Sequence, residues 1–195
     1  MPAEDGHAGS IVDAEKHLLA SADARLRFAK ARAAFLGETL PEPTFVADDW
    51  VNVPFITRTF FHEVMTPVYA RIRQQEGAVT GFHTCGKLDA IVEDLLTVFP
   101  EITSLEVSRW NDVAALDAKV DPRIGFGCAV INTVSLGDHE AGQRAKLNAI
   151  RRAAAHRKVT VCAQAIVKLY PTYEETLARL NRFLGFADDV LTGSA

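Results

Sequence analysis

The stretch Val79-Thr-Gly-Phe-His83-Thr-Cys85-Gly86 ends an apolar run just before a helical pattern begins. In a β-strand, side chains two positions apart point to the same face, so His83 and Cys85 share one face. The pattern that follows has apolar residues at three-four spacing until Pro100. A strand followed at once by a helix is one βα unit, and this one carries an imidazole and a thiol at its strand end.

The alternation of strand and helix continues through most of the chain. The apolar runs predict strands at about 44–48, 78–84, 104–108, 123–130 and 159–166. The helical patterns cover about 10–36, 59–75, 88–99, 112–119, 140–156 and the region after 172. Gly37 is expected to stop the first helix, and Thr172 with Glu175 forms a capping box for the last.

Alternating elements with short connections indicate parallel βα units. A closed barrel of such units needs eight strands and typically about 250 residues, more than this chain supplies. We therefore expect an α/β fold of parallel βα units that resembles part of a (β/α)8 TIM barrel, with about five strands.

The composition is that of one ordinary domain: 195 residues, 48% hydrophobic, with a formal charge of −4. We expect a single α/β domain over residues 10–189, between a flexible N-terminus at 1–9 and a flexible tail at 190–195.

The chain has no membrane-length apolar run, no signal-peptide pattern and no basic cluster, so we expect a cytoplasmic protein that binds neither membranes nor nucleic acid. An odd number of cysteines, three, favours ligands, nucleophiles or core residues over a disulfide framework.

Zinc accepts thiolate and imidazole ligands, and a catalytic zinc keeps three protein ligands and one open position. His83 and Cys85 supply two ligands, and Cys162, in another strand-like run, supplies a third. The two cysteines are 77 residues apart, too far for a zinc finger, so the fold would have to assemble this site. The sequence predicts a zinc site of His83, Cys85 and Cys162.

Other polar residues lie at predicted strand ends, where chemistry gathers in parallel βα folds. One of Asp48 and Asp49 is expected to orient a zinc ligand or a substrate. Glu106 is a weaker candidate for the same role, since strand alternation leaves open whether its side chain faces the helices. Gln164 is two residues beyond Cys162, shares its predicted face, and is a candidate for touching substrate.

Three segments carry a resemblance to a known family. They are His83-Thr-Cys85-Gly86-Lys-Leu-Asp-Ala-Ile-Val-Glu-Asp-Leu95, Asp48-Asp49-Trp50, and Phe55-Ile-Thr-Arg-Thr-Phe-Phe-His-Glu-Val-Met-Thr-Pro-Val-Tyr-Ala-Arg-Ile72. They resemble the uroporphyrinogen decarboxylase superfamily, specifically its corrinoid methyltransferase branch, which includes the methylcobalamin:coenzyme M methyltransferases. Cys162 falls where those methyltransferases have their second zinc cysteine. The likeness covers roughly residues 12–186 and corresponds to the C-terminal part of the family's barrel.

The resemblance implies a function as well as a fold. Zinc on His83, Cys85 and Cys162 would bind a small thiol or a methylated substrate, and the methyl group would pass to or from methylcobalamin. The chain lacks an Asp-x-His-x-x-Gly run, so the corrinoid would be held on a separate protein. The arginines that hold porphyrin carboxylates in the decarboxylases have no counterpart here, which disfavours porphyrin decarboxylation.

A partial barrel leaves sheet edges that proteins normally pair or cover. We therefore expect a homo-oligomer, or a partner chain that completes the barrel. An alternative interpretation is a truncated, non-catalytic subunit or regulatory protein that binds metal or a tetrapyrrole- or corrinoid-related ligand.

Overall fold

The computed structural model describes residues 5–40, 44–49, 51, 55–131, 140–163 and 170–193. The strands are β1 (Thr44–Ala47), β2 (Val79–His83), β3 (Ser104–Val107), β4 (Gly125–Ile131) and β5 (Val159–Ala163). The helices are α1 (Asp5–Leu36), α2 (Arg58–Phe60), α3 (Thr66–Glu76), α4 (Val92–Val98), α5 (Val113–Lys119), α6 (Glu140–Ala154) and α7 (Tyr173–Thr192). A π-helical turn, Phe61–Met65, joins α2 to α3.

The five strands form one sheet in the order β1-β2-β3-β4-β5, and every neighbouring pair is parallel. Strands that follow one another in sequence and in space, with helices between them, are the arrangement of a TIM barrel. The predicted α/β fold of parallel βα units, resembling part of such a barrel, is confirmed. β1 and β5 lie at the two ends of the strand order.

One face of the sheet forms the hydrophobic core with the helices, and we call it the helix face. Alternate strand residues on this face are at most 2% exposed: Val46, Phe82, Leu105, Val107, Phe126 and Cys128. The ring of Tyr69, on α3, packs 5.8 Å from that of Phe82 and 5.2 Å from that of Phe99. Burying each large apolar side chain contributes about 1.5–3 kcal/mol, so this face is the main source of stability.

The opposite face, which a closed barrel would turn inward, is here called the inner face. Phe45 on β1 is 53% exposed, and Ser104 and Thr160 are also exposed. Glu106 pairs in register with Gly127, and Gly127 with Thr160, so these residues share the inner face. The polar side chains of the sheet are therefore accessible to a ligand.

Helix ends follow the predicted signals in two places. Gly37 has a φ of 67° directly after α1, a conformation that glycine adopts without strain. The hydroxyl of Thr172 accepts a 3.1 Å hydrogen bond from the backbone amide of Glu175 at the start of α7. Across the described ranges, no helix is both long enough and apolar enough to cross a bilayer.

The fourth helix begins later than its periodicity predicts. The pattern favours a helix from residue 88, but α4 starts at Val92. The backbone amides of Ile91 and Val92 both donate to the carbonyl of Leu88, which makes a turn ahead of the helix. The amide of Leu88 itself donates to the side chain of Asn111, so a partner from another loop fixes this segment.

Candidate metal centre

Three ligand atoms converge at the carboxyl ends of β1 and β2. They belong to Asp49, His83 and Cys85, and all lie within 4.8 Å of one another. Nε2 of His83 is 2.9 Å from Oδ1 of Asp49 and 3.4 Å from Sγ of Cys85. Ala47 pairs with His83 in the parallel register, and the amide of Asp48 donates to the carbonyl of His83 at 2.9 Å. This pairing brings the two strand ends, and with them the triad, together.

The carboxylate of Asp49 is held in its ionised form. The hydrogen bond with the Cys85 side chain is the largest cause that lowers the pKa of Asp49 below its ordinary value, and the charge of His83 adds to it. The backbone amide of Cys85 also donates to Oδ1 of Asp49 at 3.3 Å. The side chain of Asp49 is 59% exposed. An ionised, accessible carboxylate is suited to binding a cation.

Glu106 contacts the opposite side of the His83 ring. Its Oε2 lies 2.7 Å from Nδ1 of His83, the separation of an ion pair without the angles of a hydrogen bond. The sequence left open whether Glu106 faces the helices, and the structure turns it to the inner face beside His83. A carboxylate on the second nitrogen of a metal-binding histidine usually fixes the ring and raises its basicity.

Asp48, the first of the two adjacent carboxylates, contacts a helix rather than the triad. Oδ2 of Asp48 accepts a 3.1 Å hydrogen bond from the hydroxyl of Tyr69, so Asp48 contacts α3. Burial and this carboxylate raise the pKa of Tyr69, which keeps the phenol protonated as a donor. Gln164 lies outside the described residues.

Cys162 is on the inner face but on a distant strand. It pairs with Ala129 on β4, and β5 is three strands from β2 in the sheet order. Its Sγ contacts the carbonyl of Cys128 at 3.6 Å, and burial, followed by the charge of Glu106, raises the pKa of Cys162. The group of ligand atoms within 4.8 Å contains Asp49 and does not contain Cys162. The ligand role of Cys162 stays a prediction.

The donor set and spacing of the triad suit zinc. Tetrahedral Zn²⁺ at ordinary bond lengths separates a sulfur from a nitrogen ligand by about 3.6 Å and a nitrogen from an oxygen ligand by about 3.4 Å. The Cys85–His83 separation of 3.4 Å nearly meets the first value, and the His83–Asp49 separation of 2.9 Å requires an opening of about 0.5 Å. The triad is a possible metal site.

The sequence signal for Asp49 was its position, because a carboxylate at the end of one parallel strand lies beside the end of the next.

Comparisons with protein-family models, with curated proteins and with solved structures gave no match to this chain. The family resemblance therefore stays a prediction.

Proposed function

We propose that this protein is a zinc-dependent methyltransferase that works with a corrinoid on a separate protein. Asp49, His83 and Cys85 would hold the ion and leave one position for a thiol or methylated substrate. The observation that carries the proposal is the convergence of a thiol, an imidazole and an ionised carboxylate at accessible strand ends. Bound zinc would supply Lewis acidity that keeps a substrate thiol as a nucleophilic thiolate at neutral pH.

The methyl group would move as a cation equivalent. The substrate thiolate would form the new sulfur–carbon bond with its own electron pair, and the electron pair of the cobalt–carbon bond would leave with the corrinoid. Transfer in the other direction reverses these changes. The chain's part is to position the thiol: His83 and Cys85 come from one strand and its loop, and Glu106 contacts the imidazole from the neighbouring strand.

The open inner face of the sheet favours association with a second chain. Exposed groups of β1, β3 and β5 on this face, such as Phe45 and Thr160, are ones that a closed barrel would enclose. We propose that a second copy or a partner chain covers the edges of the sheet. The molar mass of the purified protein in solution, measured by light scattering, tests this: a monomer with no mass change on adding a corrinoid protein would contradict it.

The same open face favours a second candidate, a non-catalytic subunit. Such a protein would bind zinc, or a corrinoid- or tetrapyrrole-related ligand, without transferring a methyl group. Its signature would be zinc at one ion per chain with no methyl transfer when a corrinoid protein is added. A shifted visible absorption band after incubation with cobalamin or porphyrin would also support it.

The test of the zinc proposal is metal analysis of the wild-type protein and two cysteine variants. Cys85→Ser should purify without zinc, because it removes the thiolate of the triad and leaves His83 and Asp49 to bind the ion with a much weaker but measurable affinity. Cys128→Ser is the control: Cys128 is buried on the helix face and cannot reach the triad. Full zinc occupancy in Cys85→Ser would overturn the site.

The activity test follows the visible spectrum of a methylated corrinoid protein mixed with a thiol. Zinc-dependent conversion of the methylcobalamin bands to those of cob(I)alamin, lost in Cys85→Ser, is the expected result. Methyl transfer that survives complete removal of zinc would point instead to Cys85 as a nucleophile beside His83.

A further inference from the structure

The loop that carries Cys85 is held from the neighbouring loop by two buried polar side chains. The hydroxyl of Ser108 donates to the carbonyl of Gly86 at 2.6 Å, and Nδ2 of Asn111 donates to the same carbonyl at 3.0 Å. Ser108 is 0% and Asn111 5% exposed. Two donors therefore converge on the peptide group between Gly86 and Lys87, one residue beyond Cys85.

Asn111 also holds the loop at a second point. Its Oδ1 accepts a 2.6 Å hydrogen bond from the amide of Leu88, whose side chain is fully buried in the core. The two side chains are bonded to each other as well, with Nδ2 of Asn111 2.9 Å from the hydroxyl of Ser108. One amide side chain thus fixes backbone groups one and three residues beyond Cys85. We call Ser108 and Asn111 the clamp.

The clamp is anchored from the helix layer. Nζ of Lys146, on α6, donates to the carbonyl of Ser108 at 3.4 Å and to that of Arg109. Burial lowers the pKa of Lys146 to about 8, and its charge lies close to the strand ends. A buried network whose polar groups are all hydrogen-bonded is rigid, because breaking one bond leaves a polar group without a partner and without water.

Cys85 itself is exposed, so packing does little to fix its thiol. Its position depends on the backbone on either side: His83 at the end of β2 and the clamped peptide at Gly86. We propose that Ser108 and Asn111 are positioning residues of the metal centre, which hold the Cys85 thiol in place to bind the ion. This inference rests on the proposed zinc site.

Two substitutions test the clamp at different strengths. Asn111→Asp keeps the acceptor for the Leu88 amide but replaces the donor to the Gly86 carbonyl with a repelling oxygen. Ser108→Ala is milder, because the carbonyl keeps its bond from Asn111, and it serves if Asn111→Asp fails to fold. Outer partners of metal ligands typically contribute 10- to 100-fold in affinity, so we expect the zinc Kd to rise about tenfold in Ser108→Ala and about a hundredfold in Asn111→Asp.

The control is Thr176→Val, which removes another buried hydroxyl with two hydrogen bonds, to Tyr170 and Thr172 near the start of α7. It should reduce stability without changing the zinc Kd. Cobalt substitution gives a spectroscopic readout: the cobalt–thiolate charge-transfer band should weaken per bound ion in the clamp variants and stay unchanged in the control.

A double-mutant cycle separates positioning from general destabilisation. In a Cys85→Ser background, Ser108→Ala should cause no further loss of cobalt or zinc affinity, because the thiol it positions is gone. An equal loss in both backgrounds, or an unchanged Kd in both clamp variants, would overturn the inference while leaving the zinc site intact. A wild-type protein that binds no zinc would overturn the zinc site and the clamp's role with it.

Discussion

Glu106 and His83 meet across two neighbouring strands, with Oε2 of the carboxylate 2.7 Å from Nδ1 of the ring. The side chain of His83 is 17% exposed and that of Glu106 33%, so the contact is partly shielded from water. His83 is thereby flanked on both nitrogens, by Glu106 at Nδ1 and by Asp49 and Cys85 at Nε2. A ring flanked in this way presents Nε2 to an ion in one orientation.

Glu106→Gln should weaken zinc binding about 10- to 100-fold. A neutral amide stabilises the Nδ1–H group of a metal-bound imidazole less than a carboxylate does. Competition with a chromophoric chelator measures the change. Glu101→Gln is the matched control, since Glu101 is ion-paired with Arg73 rather than with any residue of the triad. Equal zinc affinity in Glu106→Gln and wild type would show that the contact does not orient the ligand.

The two adjacent carboxylates at the end of β1 should behave differently. Asp49→Asn should release zinc, because the carboxylate oxygen is one of the three converging ligand atoms. Asp48→Asn should retain it, because Asp48 contacts Tyr69 instead. Zinc content per chain, measured by atomic emission, distinguishes the pair.

Cys162→Ser provides the complementary measurement. On the geometry of the triad it should keep zinc at wild-type stoichiometry. If it loses zinc while Asp49→Asn keeps it, the ligand set is His83, Cys85 and Cys162, as the sequence predicts.

Arg157 lies outside the candidate site and stabilises the fold through a buried set of hydrogen bonds. Its guanidinium is fully buried, donates to the carboxylate of Asp117 at 2.6 Å, and donates to the carbonyls of Val120 and Ile124 at 2.9 Å each. It also lies 4.1 Å from the ring centre of Phe126. The end of α5 and the start of β4 are therefore joined through one side chain.

Arg157→Met should lower the free energy of unfolding by about 3 kcal/mol, because it removes the donor to several carbonyls and one of the two partners of the Asp117 carboxylate. Urea denaturation measures this value. Arg123→Met is the control: the Arg123 side chain is 89% exposed and pairs with Asp121 at the surface, so its loss should change stability by less than about 0.5 kcal/mol. Similar losses in both variants would contradict the structural role of Arg157.

The buried thiol of Cys128 should give stability a dependence on alkaline pH. Burial raises its pKa to about 12 in the folded state. Above the ordinary thiol pKa the unfolded chain releases this proton while the folded chain keeps it, so stability falls as pH rises through that window. From pH 8 to 10.5, wild type should lose about 2 kcal/mol relative to Cys128→Ala. Parallel stability curves, from urea denaturation under reducing conditions, would contradict the prediction.

Much of the fold could be predicted from the sequence because periodicity is a local property. The apolar run that ends at His83 forms a strand as predicted, and Gly37 and Thr172 mark helix ends through their own backbone and side-chain chemistry. The start of α4 could not be predicted, because the Leu88 amide is bonded by Asn111, 23 residues away. Such a bond leaves no trace in the spacing of apolar residues.

The site could be predicted in part for the same reason. His83 and Cys85 are two residues apart in sequence, so they lie close together even though β2 ends at His83 and Cys85 belongs to the following loop. Whether Asp49 or Cys162 lies nearest depends on strand order and on the curvature of the sheet, which come from the packing of the whole chain. The orientation of Glu106 could be predicted only from the register of β3 against its neighbours, which the sequence does not give.

Alternate residues of the same strands serve separate purposes in this protein. Phe82 and Leu105 pack beneath the helices, while their neighbours His83 and Glu106 point away from that core. Chemistry and foldability are thus encoded at interleaved positions. The inner-face positions can therefore be changed, by evolution or by design, while the residues that build the core, and with them the scaffold, stay the same.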